Sequence, residues 1–101
     1  MILEVADIRI NAGQQVDFEK VLTLAMNSIF AKAKGFLGHQ VCRSIESPER
    51  YVLLLSWDTL EDHTVGFRGS VLFAEWRSLV NAYFADAPYV EHFEIIGTAS
   101  I

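Results

Sequence analysis

One predicted strand, residues 50–58 (RYVLLLSWD), is apolar on both of its faces. The apolar side chains alternate between one face (Tyr51, Leu53, Leu55 and Trp57) and the other (Val52 and Leu54). An antiparallel sheet with one face in water would carry polar residues on that face. Both faces of the sheet that contains this strand must therefore be covered. Helices of the same chain can cover one face, and the other face needs a further partner.

Strand and helix patterns follow one another in a definite order along the chain. The predicted elements are a strand over 2–10, a helix over 14–34 ended by Gly35, strands over 36–46 and 50–58, a short helix over 60–65, a helix over 71–82 and a strand over 89–96. The order β-α-β-β-α-β is that of the split βαβ, or ferredoxin-like, arrangement. We therefore predict an α+β fold with a four-stranded antiparallel sheet and both helices on one face. Independent domains rarely fall below about 50 residues, so we expect residues 1–101 to form a single domain.

Both long helices carry an apolar stripe at helical spacing, which predicts that they pack on the sheet. The stripes are Phe18, Val21, Leu22, Ala25 and Ile29 in the first helix, and Leu72, Phe73, Trp76, Leu79, Val80 and Tyr83 in the second. Thr59 and Ser70 precede the short helix and the second long helix. Their hydroxyl groups can accept hydrogen bonds from the free backbone N–H groups at the start of each helix.

The charge balance argues against two classes of partner. Eight basic and 13 acidic residues give a net charge of −5, and no basic patch is present. Nucleic acids and anionic membranes are bound first through their phosphates, so we expect neither as a partner. Acidic residues follow Met1 where a signal peptide would carry Lys or Arg, and no apolar run approaches about 18 residues. We expect a soluble, cytoplasmic domain.

The apolar content predicts an oligomer. Hydrophobic residues make up 51% of the chain, whereas a monomer of this size buries only about 60–70% of its unfolded surface. Part of the excess must face another chain or line an internal cavity, because it would otherwise promote aggregation. We therefore expect an obligate oligomer.

Several segments together resemble one protein family. They are Gly35-Phe36-Leu37-Gly38, the Leu-rich strand that ends in Trp57, His63, the stretches 67–70 (FRGS) and 73–77 (FAEWR), and Val90-Glu91-His92-Phe93. Through them, residues 2–96 resemble the antibiotic biosynthesis monooxygenase (ABM) domain. The resemblance implies a dimeric α/β barrel in which two four-stranded sheets pack face to face, often with exchanged C-terminal strands. A homodimer of this kind would cover the second face of strand 50–58.

The family includes cofactor-independent oxygenases of polycyclic phenols and quinols as well as haem-degrading enzymes. The resemblance implies that Trp57 faces the pocket, where its ring can stack on a flat substrate and its N–H can polarise an oxygen; alternatively, Trp57 closes the core. It also implies that Arg77 holds a substrate oxyanion; alternatively, Arg77 pairs with Glu75 or Asp86. An imidazole ordinarily titrates near neutrality, so His63 is a candidate to take a phenolic proton; alternatively, it is an exposed histidine with no special role.

Apolar side chains are expected to wall the substrate pocket. The candidates are Phe18, Leu22, Leu53, Leu55, Phe73 and Trp76. For Arg68 we favour a structural pair with an acid or a helix carbonyl, His39 is interpreted as a packed or surface residue, and His92 as part of a surface cluster. The chain has one cysteine, Cys42, and no His-x-x-x-His or His-x-x-Glu-His pair. We therefore expect no internal disulfide, no metal site and no cofactor.

The chain departs from two branches of the family it resembles. Haem-degrading relatives carry an axial histidine on the second long helix, where this chain reads FAEWRS over 73–78, and an asparagine on the first strand, where Ala6 and Asp7 stand. Polyphenol oxygenases place an asparagine shortly before the tryptophan, where this chain has Leu53. The first departure argues against haem degradation, and the second leaves the expected pocket apolar.

Three functional hypotheses follow. The first is a cofactor-independent monooxygenase of a small phenol, anthrone-like ring or quinol. Its deprotonated substrate passes an electron to O2 directly, and the protein supplies a dry pocket, a proton acceptor and a stabiliser for the anion. Trp57, His63 and Arg77 are the candidates for these tasks. The second hypothesis is a non-catalytic domain that binds a small aromatic molecule or haem. The third is a haem-binding protein with altered ligation through His63 or His39.

Overall fold

The computed structural model describes residues 1–100. Its strands are β1 (Ile2–Arg9), β2 (Phe36–Arg43), β3 (Arg50–Trp57) and β4 (Tyr89–Glu94), and its α-helices are α1 (Gln15–Ser28) and α2 (Val71–Val80). The strands form one four-stranded antiparallel sheet in the order β2-β3-β1-β4. The predicted α+β, ferredoxin-like architecture is therefore confirmed. No helix within residues 1–100 is long and apolar enough to cross a membrane.

The first helix is shorter than its sequence pattern suggests. We predicted a helix to Lys34, but α1 ends at Ser28 and a 3-10 turn follows over Phe30–Lys32. The tighter turn directs the buried Phe30 into an aromatic cluster, where its ring centroid lies 4.8, 5.0 and 5.6 Å from those of Phe67, Trp76 and Phe36. Gly35 has a φ of +81°, and a side chain there would collide with the carboxyl of Asp62. The glycine is thus needed to enter β2 rather than to end α1 directly.

The connection between β3 and α2 is mainly π-helical rather than α-helical. A short helix was predicted over 60–65, whereas the structure has a π-helical segment over Asp62–Phe67. The hydroxyl of Thr59 accepts a hydrogen bond of 3.1 Å from the backbone N–H of Asp62. The hydroxyl of Ser70 accepts one of 3.4 Å from the backbone N–H of Phe73 at the start of α2. Both predicted caps are therefore confirmed, and the π-helical segment brings His63 and Phe67 into the core.

All four strands end earlier than predicted, and β1 and β3 do so by one residue each, at Arg9 and Trp57. β2 stops at Arg43 because Ser44 closes the turn to β3. Its backbone N–H donates to the carbonyl oxygen of Arg50 at 2.9 Å, and its hydroxyl accepts from the backbone N–H of Ser47 at 3.0 Å. β4 stops at Glu94 rather than at residue 96. These differences leave the topology unchanged.

The two faces of the sheet differ in burial. Every second residue of β3, from Tyr51 to Trp57, is buried under the helices. Strand register assigns a set of apolar side chains to the opposite face, which we call the open face: Leu3, Val5, Val52, Leu54 and Phe93. All of them are half-buried or exposed, with Phe93 46% exposed. The two-sided apolar pattern of β3 therefore corresponds to one helix-covered face and one apolar face that residues 1–100 leave accessible.

Candidate functional site

A cavity of about 570 Å³ lies between the sheet and the region of α2. The sheet contributes Leu53 and Leu55 to its lining, α2 contributes Phe73 and Trp76, and the segment 84–88 borders it. Pockets for small organic ligands are mostly apolar and measure about 300–1,000 Å³. The cavity therefore has the size and the character needed to hold a small aromatic molecule.

Two ionisable side chains are buried at this cavity. Glu4 and His63 are 5% and 3% exposed, and they are the buried polar or charged residues of the part of the chain that the structure describes. Both line the cavity. Buried ionisable groups in a pocket are candidate functional residues because burial changes their proton affinity.

Glu4 reaches the cavity because it is in phase with the core-facing residues of β1. Residues at alternate positions of a strand share a face, and Glu4 therefore points to the same side as Ala6 and Ile8. Its Oε1 accepts a hydrogen bond of 2.9 Å from the indole nitrogen of Trp57 and lies 3.3 Å from Nε2 of His63. Burial raises the pKa of the Glu4 carboxyl to about 7, although the Trp57 hydrogen bond and the charge of Arg68 act in the opposite direction.

His63 is held between two partners. Its ring stacks on that of Trp57 with a centroid distance of 5.2 Å, and its Nδ1 lies 2.7 Å from Nε2 of His92. Burial lowers the pKa of His63 to about 4, with further contributions from the charges of Arg68 and His92. Burial and the charge of Arg68 also lower the pKa of His92. At neutral pH both imidazoles are therefore uncharged, and the Glu4 carboxyl is close to its midpoint.

Glu4, His63 and His92 form a line, which we call the Glu4–His63–His92 chain. Nε2 of His63 faces Glu4 and Nδ1 faces His92, so the three side chains do not converge on a common point. Within residues 1–100, no group of three or more His, Cys, Asp or Glu side chains is arranged to hold a metal ion.

Two arginines border the same cavity. Arg68 follows the π-helical segment, and Arg77 lies on α2. Arg77 Nε donates a hydrogen bond of 2.9 Å to Asn81 Oδ1, and its guanidinium carbon lies 5.7 Å from the centre of the Phe73 ring. The ion pairs found among residues 1–100 involve other cations. Arg68, for which a structural pair was favoured, therefore lines the cavity instead, and neither guanidinium is neutralised by a carboxylate there.

The structure separates the predicted site residues into three groups. His63, Arg77, Leu53, Leu55, Phe73 and Trp76 line the cavity. Trp57 is fully buried and reaches the cavity through its hydrogen bond to Glu4. The remaining two lie elsewhere: Phe18 packs edge-on against Tyr51 at 5.0 Å, and Leu22 borders a second hollow beside Met26. Their predicted catalytic and substrate-binding roles stay predictions.

Sequence reasoning missed Glu4 and misplaced His92. The interpretation of His92 as a surface residue is wrong, because register pairs it with Glu4 on the helix-covered face, where it is half-buried. The signal for Glu4 was a carboxylate in phase with Ala6, Ile8 and Ile10 of an apolar strand. His39, in contrast, is exposed on β2 and stacks on Phe36 with a centroid distance of 6.3 Å.

Comparison with known proteins gives three kinds of match. The profile of a family described as "Antibiotic biosynthesis monooxygenase" matches residues 1–79. The "Uncharacterized protein YczJ" of Bacillus subtilis (strain 168) is 38% identical over 94 residues, which cover 93% of this chain and 98% of that protein. A crystal structure from Bordetella bronchiseptica that carries the name of the same family is 41% identical, covers 94% of this chain and 96% of its own, and has a TM-score of 0.90.

A more distant structure extends the comparison to a protein with a named activity. SnoaB, a cofactor-independent oxygenase from Streptomyces nogalater, superposes with a TM-score of 0.82 and covers 96% of this chain and 94% of its own. Its sequence identity is 18%, so this similarity shows a shared fold.

Proposed function

The chain belongs to the antibiotic biosynthesis monooxygenase family, and from that premise we propose that it is a cofactor-independent monooxygenase that oxidises a small phenol, anthrone-like ring or quinol with O2. The observation that carries the proposal is the buried Glu4 carboxyl, which lines an apolar cavity of about 570 Å³ and has a pKa raised to about 7. A general base is most effective when its pKa lies near the working pH.

The reaction begins with removal of a proton from the substrate. The resulting anion passes one electron to O2, and the substrate radical and superoxide combine to a peroxide. In an anthrone-like ring, loss of water from this peroxide leaves a new carbonyl group. One oxygen atom of O2 enters the product and the other leaves as water with the two hydrogens of the former methylene. The substrate is oxidised and O2 is reduced, so the substrate itself supplies the electrons.

The site contains groups suited to each requirement of this reaction. We assign proton removal to Glu4 rather than to His63, because both ring nitrogens of His63 are already engaged by neighbours. The guanidinium groups of Arg68 and Arg77 can stabilise the substrate anion, since a positive charge is most effective next to a pocket of low polarity. The apolar lining from Leu53 and Phe73 limits the access of water to the reacting anion.

Oxygen uptake by the purified, metal-free protein tests this proposal. The substrates are a panel of hydroquinones, naphthols and anthrones, and Glu4→Gln is compared with the wild type. We expect uptake above the autoxidation background and a loss of about 100-fold or more in Glu4→Gln, as is typical when a general base is removed. Glu46→Gln, a change in an exposed turn, is the matched control and should leave uptake unchanged. Thermal stabilisation by these compounds without uptake would instead favour a binding domain.

We also propose that the open face packs against a second copy of the chain. Leu3, Val5, Val52 and Leu54 give this face an apolar centre, and the half-exposed Phe93 extends it toward the edge of the sheet. Contiguous apolar surface of this kind is typical of interfaces between subunits. The homodimer implied by the family resemblance would bury it.

A further inference from the structure

We propose that the Glu4–His63–His92 chain works as one proton-sharing unit that connects the cavity carboxyl to solvent at the β4 edge of the sheet. Its part in turnover rests on the oxygenase function proposed above. The proton sharing itself depends only on the geometry of the three side chains.

The contacts leave one continuous path. The path runs from Glu4 Oε1 to His63 Nε2 over 3.3 Å, and from His63 Nδ1 to His92 Nε2 over 2.7 Å. An uncharged imidazole carries one proton, so each ring donates from one nitrogen and accepts at the other. The tautomer of His63 therefore fixes the tautomer of His92, and the charge of Glu4 fixes both.

Two proton arrangements satisfy this geometry. When Glu4 is ionised, His63 donates from Nε2 to the carboxylate and His92 donates from Nε2 to His63 Nδ1. When Glu4 is protonated, its O–H donates to His63 Nε2, His63 donates from Nδ1 to His92 Nε2, and His92 carries its proton on Nδ1. The first state becomes the second by uptake of one proton at His92 Nδ1 and by one transfer within each of the two hydrogen bonds. No imidazole becomes charged in either state.

The far end of the path is open to solvent. No buried side-chain nitrogen or oxygen within residues 1–100 lacks a hydrogen-bond partner. His92 is half-buried, and its Nε2 is hydrogen-bonded to His63. Its Nδ1 has no hydrogen-bond partner among residues 1–100. Nδ1 is thus in reach of water. A substrate that fills the cavity would separate Glu4 from bulk water, and the path would still allow Glu4 to exchange its proton.

The charges around the unit favour proton sharing over ionisation of the histidines. The groups that face it are Glu4 from β1, His63 and Arg68 from the connection before α2, and His92 from β4. Arg68 is the permanent positive charge among them and disfavours a second positive charge on either ring. The pKa of His63, about 4, lies below that of Glu4, about 7. A proton gained near neutral pH therefore resides on the carboxyl, and the imidazoles respond by changing tautomer.

A substrate-free NMR titration tests the proton sharing. The full chain is labelled with ¹³C at glutamate carboxyls and ¹⁵N at histidine rings, and the Glu4 carbon and the ring nitrogens of His63 and His92 are followed through the neutral range. We expect one shared midpoint near 7, with both rings changing from the Nε2–H to the Nδ1–H form as the pH falls. In Glu4→Gln both changes should disappear. Separate midpoints, or ring tautomers indifferent to Glu4, would overturn the proposal even if Glu4→Gln does not fold.

A second experiment tests the role of the path during turnover. His92→Ala should slow oxygen uptake and recover when imidazole is added to the buffer, because the free imidazole can replace the missing ring. His39→Ala, which removes an exposed histidine from β2, is the matched control and should turn over at the wild-type rate. A wild-type rate in His92→Ala would refute a role in turnover. Absence of uptake in the wild type would refute the oxygenase, whereas the titration would still decide whether the proton is shared.

Discussion

Nε1 of Trp57 donates a hydrogen bond of 2.9 Å to Oε1 of Glu4, which lines the cavity. Trp57 itself is fully buried, and its ring stacks on His63. The ring of Trp57 therefore packs in the core, and its N–H donates a hydrogen bond to a residue of the site. It restrains the carboxyl position and favours the charged form of Glu4.

Replacing Trp57 by Phe should raise the pKa of Glu4 above its wild-type value of about 7. The Trp57 hydrogen bond lowers this pKa, while burial, the larger cause, raises it. Without the indole N–H, one of the contributions that lower the pKa of Glu4 is lost, and the effect of burial raises the pKa further. The measurement is a ¹³C titration of the Glu4 carboxyl, or the acid limb of the oxygen-uptake profile, which should move to higher pH.

Trp76→Phe is the control for this prediction. Trp76 also lines the cavity and is 8% exposed, but the hydrogen bond to Glu4 comes from Trp57. The pKa of Glu4 should therefore change much less in this variant. An equal shift in both variants would mean that loss of ring volume, rather than loss of the N–H donor, sets the pKa.

Glu4 and His63 should change the free energy of unfolding in opposite directions with pH. The pKa of Glu4 is raised from 4.5 to about 7, so its contribution is full below pH 4.5 and is lost as the pH rises to about 7. The pKa of His63 is lowered from 6.5 to about 4, so its contribution is full above pH 6.5 and is lost as the pH falls to about 4. Each shift corresponds to about 3 kcal/mol at full extent, and the two oppose each other in the wild type.

Urea denaturation at a series of pH values separates the two contributions. In Glu4→Gln the His63 contribution acts alone, so the free energy of unfolding of this variant should rise with pH between about 4 and 6.5. That of His63→Gln should fall with pH between 4.5 and about 7. Parallel profiles for the three proteins would contradict both assignments.

The fold could be predicted from sequence because its signals are local and periodic. The helical stripe of Phe18 and Leu22 and the alternation in β3 each show which side is buried, and Ser70 marks the start of α2. The end of α1 could not be predicted in this way. The turn at Phe30 is stabilised by aromatic residues far along the chain, such as Phe67 and Trp76, and no local pattern reports those contacts.

The site was harder to predict because it depends on contacts between distant elements. His63 was singled out for its chemistry, but its partners come from β1 and β4, at the two ends of the chain. His92 sits between acidic residues in sequence, which favours a surface position, whereas strand register turns it toward Glu4. Register depends on pairing across the whole sheet, so a single strand does not determine which of its faces is covered.

Arg68→Gln should raise the pKa values of Glu4, His63 and His92 together. The charge of Arg68 lowers all three, by favouring the ionised carboxylate and disfavouring the imidazolium. An NMR titration extended to acidic pH, where the imidazoles gain charge, measures the three shifts. Added salt should reduce the difference between variant and wild type because Arg68 is exposed. Arg77→Gln is the matched control, since Arg77 contributes to none of these shifts. Unchanged pKa values in Arg68→Gln would show that the charge of Arg68 does not contribute to them.

Leu54→Glu should dissociate the proposed dimer. Leu54 lies on the open face opposite Val5, at the centre of the sheet, and a carboxylate there would lose its hydration if two such faces met. Size-exclusion chromatography with light scattering should give the mass of two chains for the wild type and of one chain for Leu54→Glu. Leu24→Glu places the same charge on α1, where Leu24 is 55% exposed, and should remain dimeric. A monomeric wild type, or a dimeric Leu54→Glu, would show that the open face is not the interface.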